Sequence, residues 1–264
     1  MKTLTLLALL AAFLTLGCDK EPSTGPFHSI LALERWHRTD PAREVTMTGL
    51  VTFHVDDRLP SWLDVDESCR VQHGNWDDSS FRPPSFGTIR MSVNGKEEET
   101  WTEDSQGIGW GAPDGTLAWD SGDSIRVTAE GDEAPGFEVE ATMPQQVVLT
   151  SHDLAALSAN EMHLDRSVPL ELEWTATDGE VLLLFLQFDA LNDMRKQRWI
   201  WCTWPAADGA ATVPTTVLEH LVASHLLLSS NIYFGGVETQ QLALEGLDLD
   251  VFTFKNEVAR IQVD

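Results

Sequence analysis

Short runs of alternating hydrophobic and polar residues, separated by turn residues, extend over most of this chain. Alternation with a period of two is the pattern of a β-strand with one buried face. Asn94-Gly95 lies directly after one such run and is the strongest short hairpin signal, because both residues tolerate a positive φ. We therefore predict a mainly antiparallel β protein. The alternating runs are 45–55 (with a bulge at Gly49), 89–93, 125–129, 137–143 and 170–174.

Two segments of the second half are apolar on both faces. Residues 181–186 are six consecutive apolar side chains, which predicts a strand covered on both sides. Along the predicted strand 198–204, Trp199 and Trp201 share one face, and the opposite face is apolar as well. At least one of these faces must therefore be covered by something other than the core of its own sandwich.

The remaining elements follow from other local signals. Residues 30–38 suggest a short helical turn, and 56–87 reads as a long loop or several short strands. The pattern Thr216-Val217-Leu218-Glu219 fits a capping box and predicts a short helix. Further strands are predicted at 147–150, 226–234, 248–254 and 258–263.

Closely spaced strands without alternating long helices predict an all-β fold of antiparallel sandwiches. Pro144 ends one strand pair, so we place a domain boundary near Gln146. Residues 28–146 would form one β-sandwich domain. Residues 147–264 would form an Ig-like β-sandwich domain that carries the short helix.

The N-terminus reads as an export signal. Lys2 precedes an apolar stretch, and Gly17-Cys18 ends it, which is the order of a secretory leader with a small residue before the cut. A cysteine directly after that small residue resembles the lipobox of bacterial lipoproteins, and this resemblance implies acylation of Cys18. We expect residues 1–17 to be removed and the polar segment 18–27 to serve as a tether. Which membrane holds the lipid stays open.

The segments Gly122–Thr150, Leu170–Trp174 and Trp201–Val213 also carry a resemblance. They are similar to uncharacterised Ig-like β-sandwich lipoproteins of Gram-negative bacteria. The likeness covers roughly residues 120–264 and implies a non-catalytic protein attached to the cell envelope. It brings no active-site residues.

Charge narrows the range of partners. The chain has 17 basic and 42 acidic residues, and removal of Lys2 with the leader leaves 16 basic ones. Such an excess of negative charge excludes nucleic acid, whose phosphates would be repelled, and leaves membrane attachment to the lipid. An envelope protein or a glycan is the expected partner.

Cys69 and Cys202 remain once Cys18 is assigned to lipid. In an exported chain they could pair as one disulfide. The alternative is a buried thiol at Cys202 and an unrelated thiol at Cys69. The sequence leaves both readings open.

Candidate chemistry is sparse. The sequence contains no Gly-x-Ser-x-Gly elbow and no His-Glu-x-x-His pair, so we expect a non-enzymatic protein; a hydrolase or carbohydrate-active enzyme with a cryptic site is the alternative. The acidic cluster Asp64, Asp66 and Glu67 is the preferred place for a calcium ion, although such turns are usually only solvated. Indole faces could instead form a binding surface for a sugar or a protein. The candidate tryptophans are Trp62, Trp76, Trp101, Trp110, Trp199 and Trp201. For Trp199 and Trp201, we favour packing against the predicted helix or the neighbouring domain over an exposed binding surface.

Overall fold

The structure is a computed structural model that describes residues 27–39, 42–54, 63–75, 85–103, 110–111, 119–152, 162–189, 196–224 and 227–264. Its strands are β1 (Phe27–Thr39), β2 (Ala42–His54), β3 (Leu63–Asp64), β4 (Cys69–Asn75), β5 (Ile89–Val93), β6 (Glu97–Thr100), β7 (Thr102–Glu103), β8 (Trp110–Gly111), β9 (Ser124–Ala129), β10 (Phe137–Thr142), β11 (Met162–Leu164), β12 (Leu170–Glu173), β13 (Glu180–Asp189), β14 (Lys196–Pro205), β15 (Ala210–Val213), β16 (Leu227–Leu244) and β17 (Leu247–Val263). A 3₁₀ turn (Ala206–Asp208) and one helical turn, α1 (Thr215–Leu218), complete the described elements. The fold is all-β, as the alternating pattern predicts. No helix in this part of the chain has the length and apolar character needed to cross a membrane.

An eleven-stranded sheet forms the body of the molecule. Its order is β3-β4-β14-β13-β16-β17-β1-β2-β8-β7, and β11 pairs with β17 beside this path. The long β16–β17 hairpin lies at its centre. β17 pairs in parallel with β1 from Phe27↔Leu247 to His37↔Glu257, so the first described strand joins the last.

Two smaller sheets accompany the large one. The first has four strands in the order β10-β9-β5-β6, and the second joins β12 to β15. Within the four-stranded sheet, β5 and β6 are connected by the predicted Asn94-Gly95 turn, where φ is 50° at Asn94 and 68° at Gly95. The positive φ of both residues is the geometry that makes this pair a hairpin signal, so the predicted turn is confirmed.

Two hydrophobic cores lie one after the other on the same face of β17. Leu247, Leu249 and Val251 belong to the first core, beneath the four-stranded sheet. Ala259, Ile261 and Val263 belong to the second core, with β12 and α1. Polar contacts separate the cores: Thr253 Oγ1 donates to Thr142 O at 3.0 Å, and Lys255 Nζ lies 3.2 Å from Ser121 Oγ.

The predicted division into 28–146 and 147–264 does not separate these cores. Along the chain, the change from the first core to the second does fall between Met143 and Val147. However, Cys69 and Val71 lie in the second core, and the 242–251 tip of the β16–β17 hairpin lies in the first. The hairpin is longer than one sandwich, so it contributes to both cores.

The opposite face of the large sheet is also buried and is mainly apolar. Trp201 and Phe254 lie on it with ring centroids 6.0 Å apart, although β13 and β16 separate their strands. Strands spaced at about 4.8 Å would hold the two backbones about 14 Å apart in a flat sheet. The sheet therefore curls towards this face, and the rings lean over the strands between them. Other buried side chains on this face are Leu182, Leu184, Leu186, Trp199, Tyr233 and Phe252.

Gly235 lies on this curled face, opposite Asn256 of β17. A Cβ at Gly235 would lie 2.0 Å from Lys255 O and 2.6 Å from Asn256 Oδ1. No side chain fits at such distances, so the glycine is required by the close approach of the two backbones.

Several local predictions are wrong. Residues 30–38 are not helical but form part of β1, because the segment pairs with β2 on one side and β17 on the other. The β1–β2 register continues through Gly49 without the predicted bulge. The segment 147–150 contributes only the isolated bridge Leu149↔Trp174. The three strands predicted after residue 226 are two, because β17 runs without a break through 255–257.

The predicted helix is present but begins differently. α1 starts at Thr215 with Pro214 as its N-cap, and no side chain caps it. Because the helix begins at Thr215, Thr216 lies inside it and not at the N-cap, so the Thr216 capping box is not formed. Val217 and Leu218 are fully buried and contribute to the second core.

Candidate functional site

The acidic residues 64–67 form the turn that leads from β3 into β4. The Asp66 carboxylate accepts hydrogen bonds from Ser68 N at 2.7 Å and from Cys69 N at 2.6 Å. Asp64 forms an ion pair with Arg70, with 3.2 Å between Oδ1 and Nε. No group of three or more His, Cys, Asp or Glu side chains in the described ranges is arranged to hold a metal ion. Asp64 and Asp66 therefore make contacts that order the turn, and Glu67 is exposed beside them.

Cys69 and Cys202 form a disulfide with an S–S distance of 2.05 Å. They are direct register partners in the β4–β14 ladder, with their Cα atoms 4.1 Å apart. Such a short Cα separation is typical of a non-hydrogen-bonded antiparallel pair, in which side chains come close together. Both residues are almost completely buried, at 1% and 0% exposure, in the second core. The sequence left a disulfide and two separate thiols as alternatives, and the structure contains the disulfide.

Three of the candidate tryptophans are not on the surface. Trp101, Trp199 and Trp201 are between 0% and 2% exposed, so they cannot present a binding platform in this structure. The physical reason for Trp199 and Trp201 is that both faces of β14 are covered. α1 packs with the Ile200 and Cys202 face, whereas the Trp201 ring packs edge-on against Phe252 and Phe254.

The side chains of the other three candidate tryptophans lie outside the part of the chain that the structure describes. Trp62 and Trp76 lie outside the described residues. Trp110 lies in β8, where its backbone pairs with Leu50 of β2, and its side chain also lies outside the description. These three residues remain as the aromatic candidates for a binding surface.

The outer face of the four-stranded sheet is polar and paired. Arg126 donates to Glu138 at 2.6 Å, and this hydrogen bond raises the pKa of the Arg126 guanidinium. Arg90 forms an ion pair with Glu130 at 3.0 Å, and a hydrogen bond from Thr88 contributes most to lowering the pKa of Glu130. Pairs of this kind describe a solvated sheet face, and their net contribution to stability is small.

The perturbed titratable groups do not converge on one place. Among the described residues the pKa shifts fall on Arg126, Glu130, Asp165 and Glu238. Catalytic sites usually collect perturbed groups in one cleft. Here the first two lie on the four-stranded sheet, Asp165 precedes β12, and Glu238 lies in β16. This distribution gives no support to the enzyme alternative.

A feature that the sequence analysis missed is the free side of β16. β13 pairs with β16 only as far as Glu180↔Val237, so residues 238–244 extend beyond it and pair with β17 alone among the described strands. Leu242 and Leu244 pack against the first core, whereas the other side chains of this stretch are exposed. We call residues 238–244 the β16 edge. Its alternation could be read from the sequence, but its missing neighbour could not.

Glu238 begins the β16 edge and is electrostatically uncompensated. Partial burial raises the pKa of its carboxyl group, and no cationic side chain contributes to the shift. The nearby Lys255 is instead directed to Asp120, at 3.6 Å, and to Ser121. Glu238 is therefore a partly desolvated carboxylate that would gain from a positive charge beside it.

Comparison with known proteins finds neither a family model nor a curated protein that matches this chain. The functional interpretation therefore depends on the residues and geometry described above.

Proposed function

We propose that this protein is an exported, lipid-anchored component of the bacterial cell envelope with a non-catalytic binding or structural role. Cys18 carries the lipid, residues 1–17 are the leader, and 18–27 are the tether. The protein binds an envelope protein or a glycan through its sandwich loops and exposed aromatic residues. The strong negative charge of the chain makes nucleic acid an unfavourable partner.

The single observation that carries this proposal is the buried Cys69–Cys202 disulfide. Structural disulfides form and persist in oxidising compartments and are rare in reducing ones. The two cysteines lie far from the leader in sequence, so the disulfide supports export independently of the lipobox-like pattern at Cys18.

The architectural part of the proposal is two Ig-like sandwiches that share one long hairpin. Two successive cores lie under separate small sheets, and nearly all strand pairs are antiparallel. This arrangement fits the sandwich architecture, in which side chains from two inner faces make the core. Sharing β16 and β17 would hold the two sandwiches in a fixed order, as suits a protein that displays a surface at a distance from a membrane.

The first experiment tests location. The wild-type protein and the Cys18→Ser variant are expressed in a Gram-negative host and fractionated into membrane and soluble exported pools. We expect the wild type in the membrane fraction and Cys18→Ser in the soluble exported fraction. Equal distribution of the two proteins would contradict the lipid anchor, and retention of both in the cytoplasm would contradict export.

The second experiment tests binding. Purified protein is co-sedimented with isolated cell-wall polymer, and Trp62→Ala and Trp76→Ala are compared with Trp62→Phe and Trp76→Phe. Loss of binding in the alanine variants and its retention in the phenylalanine variants would support an aromatic surface, because an aromatic ring is the shared requirement. Hydrolysis of the polymer by the wild type would instead favour the enzyme alternative.

A further inference from the structure

The β16 edge differs from the other strands that end a sheet. Along the strand order of the two larger sheets the terminal strands are β3, β7, β6 and β10, and each carries at least one acidic side chain. β11, which pairs with β17 beside that order, is only three residues long. Charged residues on edge strands protect a protein from unwanted strand pairing. In β10, for example, Glu138 and Glu140 are both exposed. The stretch Thr239–Leu244 has no charged residue, no proline and no glycine, so it lacks this protection.

The β16 edge also has the length and geometry of a docking strand. Residues 238–244 span about 20 Å at the usual rise of a strand. Their ladder with β17 is regular from Glu238↔Thr253 to Leu244↔Leu247. In an antiparallel edge strand every second residue directs its N–H and C=O away from the neighbour. These groups can receive the backbone of an added strand, which is the β-augmentation mode of peptide recognition.

Charges at the two ends of the β16 edge indicate which occupant fits. Glu238 and Glu245 lie at opposite ends and are exposed, and Glu180 lies beside Val237 in the register with β13. A second copy that paired antiparallel about Gln241 would place its Leu244 opposite Glu238 and its Glu245 at Val237, the position that Glu180 already occupies. Like charges there, in a chain with a net charge of −25, oppose self-association. A strand with basic ends avoids this repulsion.

We propose that the β16 edge accepts an extended segment of a partner protein as an added strand, uncharged at its centre and with a lysine or arginine beside Glu238. The inference rests on the proposed function, because it names the partner class of a binding module. Glu238 lies at the start of the β16 edge without an ion pair to any cationic side chain of the described residues, and it is the residue that selects the basic end.

The experiment uses two synthetic peptides of alternating threonine and valine, one with lysine and one with glutamate at both ends. Binding to the purified full-length protein is measured by fluorescence anisotropy. We expect the lysine-ended peptide to bind the wild type more tightly than the glutamate-ended peptide does. The Glu238→Lys substitution should lower the affinity for the lysine-ended peptide by about three- to tenfold and raise the affinity for the glutamate-ended peptide. Glu138→Lys on β10 is the matched control and should leave the preference unchanged.

Amide hydrogen exchange locates the bound peptide. Added protection within residues 238–244 supports the proposal, because an added strand satisfies the outward N–H groups there. Protection confined to another strand, absence of binding, or an unchanged preference in Glu238→Lys would overturn it. The fractionation of Cys18→Ser is unaffected by any of these results, so failure of the edge is distinguishable from failure of the envelope assignment.

Discussion

Removal of the Cys69–Cys202 disulfide should destabilise the protein substantially without changing its fold. The two cysteines are separated by 133 residues, and they lie opposite each other in a ladder that already fixes their positions. The bond therefore acts mainly by restricting the unfolded chain. The chain-entropy relation gives a contribution of about 5 kcal/mol for a loop of this length. With a urea m-value of about 2–3 kcal/mol/M, the midpoint of unfolding should fall by about 2 M.

The assay is urea unfolding followed by tryptophan fluorescence, since Trp199 and Trp201 precede Cys202 in β14 and are buried. The double variant Cys69→Ala with Cys202→Ala is compared with oxidised wild type, and reduced wild type should behave like the variant. Cys18→Ser, which leaves the disulfide intact, is the control. Midpoints for the double variant and the oxidised wild type that agree within about 0.3 M would refute the reasoning.

Three further predictions concern packing, a buried hydrogen bond and pH. Gly235→Ala should cost about 3 kcal/mol or more, because its Cβ would lie 2.0 Å from Lys255 O. Gly95→Asn lies in open space, and its left-handed φ of 68° is one that asparagine tolerates better than other side chains, so it should cost no more than about 1 kcal/mol. Thermal unfolding measures both, and equal losses would contradict the packing argument. Trp174→Phe removes the 2.9 Å hydrogen bond from Nε1 to Ala206 O and should cost about 1–3 kcal/mol in urea unfolding, an unchanged midpoint being the contrary result. Burial raises the pKa of Glu238, so the folded state binds the proton more tightly and loses stability as the pH rises through that raised pKa. Glu238→Gln should therefore be slightly more stable than wild type at neutral pH, with the difference vanishing in acid below the ordinary glutamate pKa; a constant difference across that range would show that the carboxyl does not titrate as described.

The elements best predicted from the sequence are those determined by local chemistry. The Asn94-Gly95 hairpin, the β9–β10 pair and the fully buried strand around 181–188 all depend on neighbouring residues and on turn geometry. In each case the period of the hydrophobic pattern agrees with the final structure, so local and tertiary preferences coincide.

The elements that were missed depend on long-range pairing. Residues 30–38 carry no local mark of a strand, and they become β1 through partners at 42–54 and 247–257. The sharing of the β16–β17 hairpin between two cores is likewise invisible in a linear pattern, which shows where a strand is apolar but not which sheet covers it. Burial of Trp199 and Trp201 follows from the curl of the sheet, a property of several strands together.

The candidate sites also depend on strand register and contacts that the sequence does not show. The Cys69–Cys202 pairing was one of two readings, and only the β4–β14 register brings the two sulfurs together. The acidic turn at 64–67 has the composition of a cation site, but its carboxylates are directed to backbone N–H groups and to Arg70. The β16 edge could not be predicted, because no spacing in the sequence shows where β13 ends.

The most direct test of the envelope assignment is mass spectrometry of the N-terminal peptide from the membrane-extracted protein. We predict that the mature chain begins at Cys18 and that this residue carries the mass of attached acyl chains. A chain that begins at Met1, or a Cys18 without lipid, would contradict the assignment.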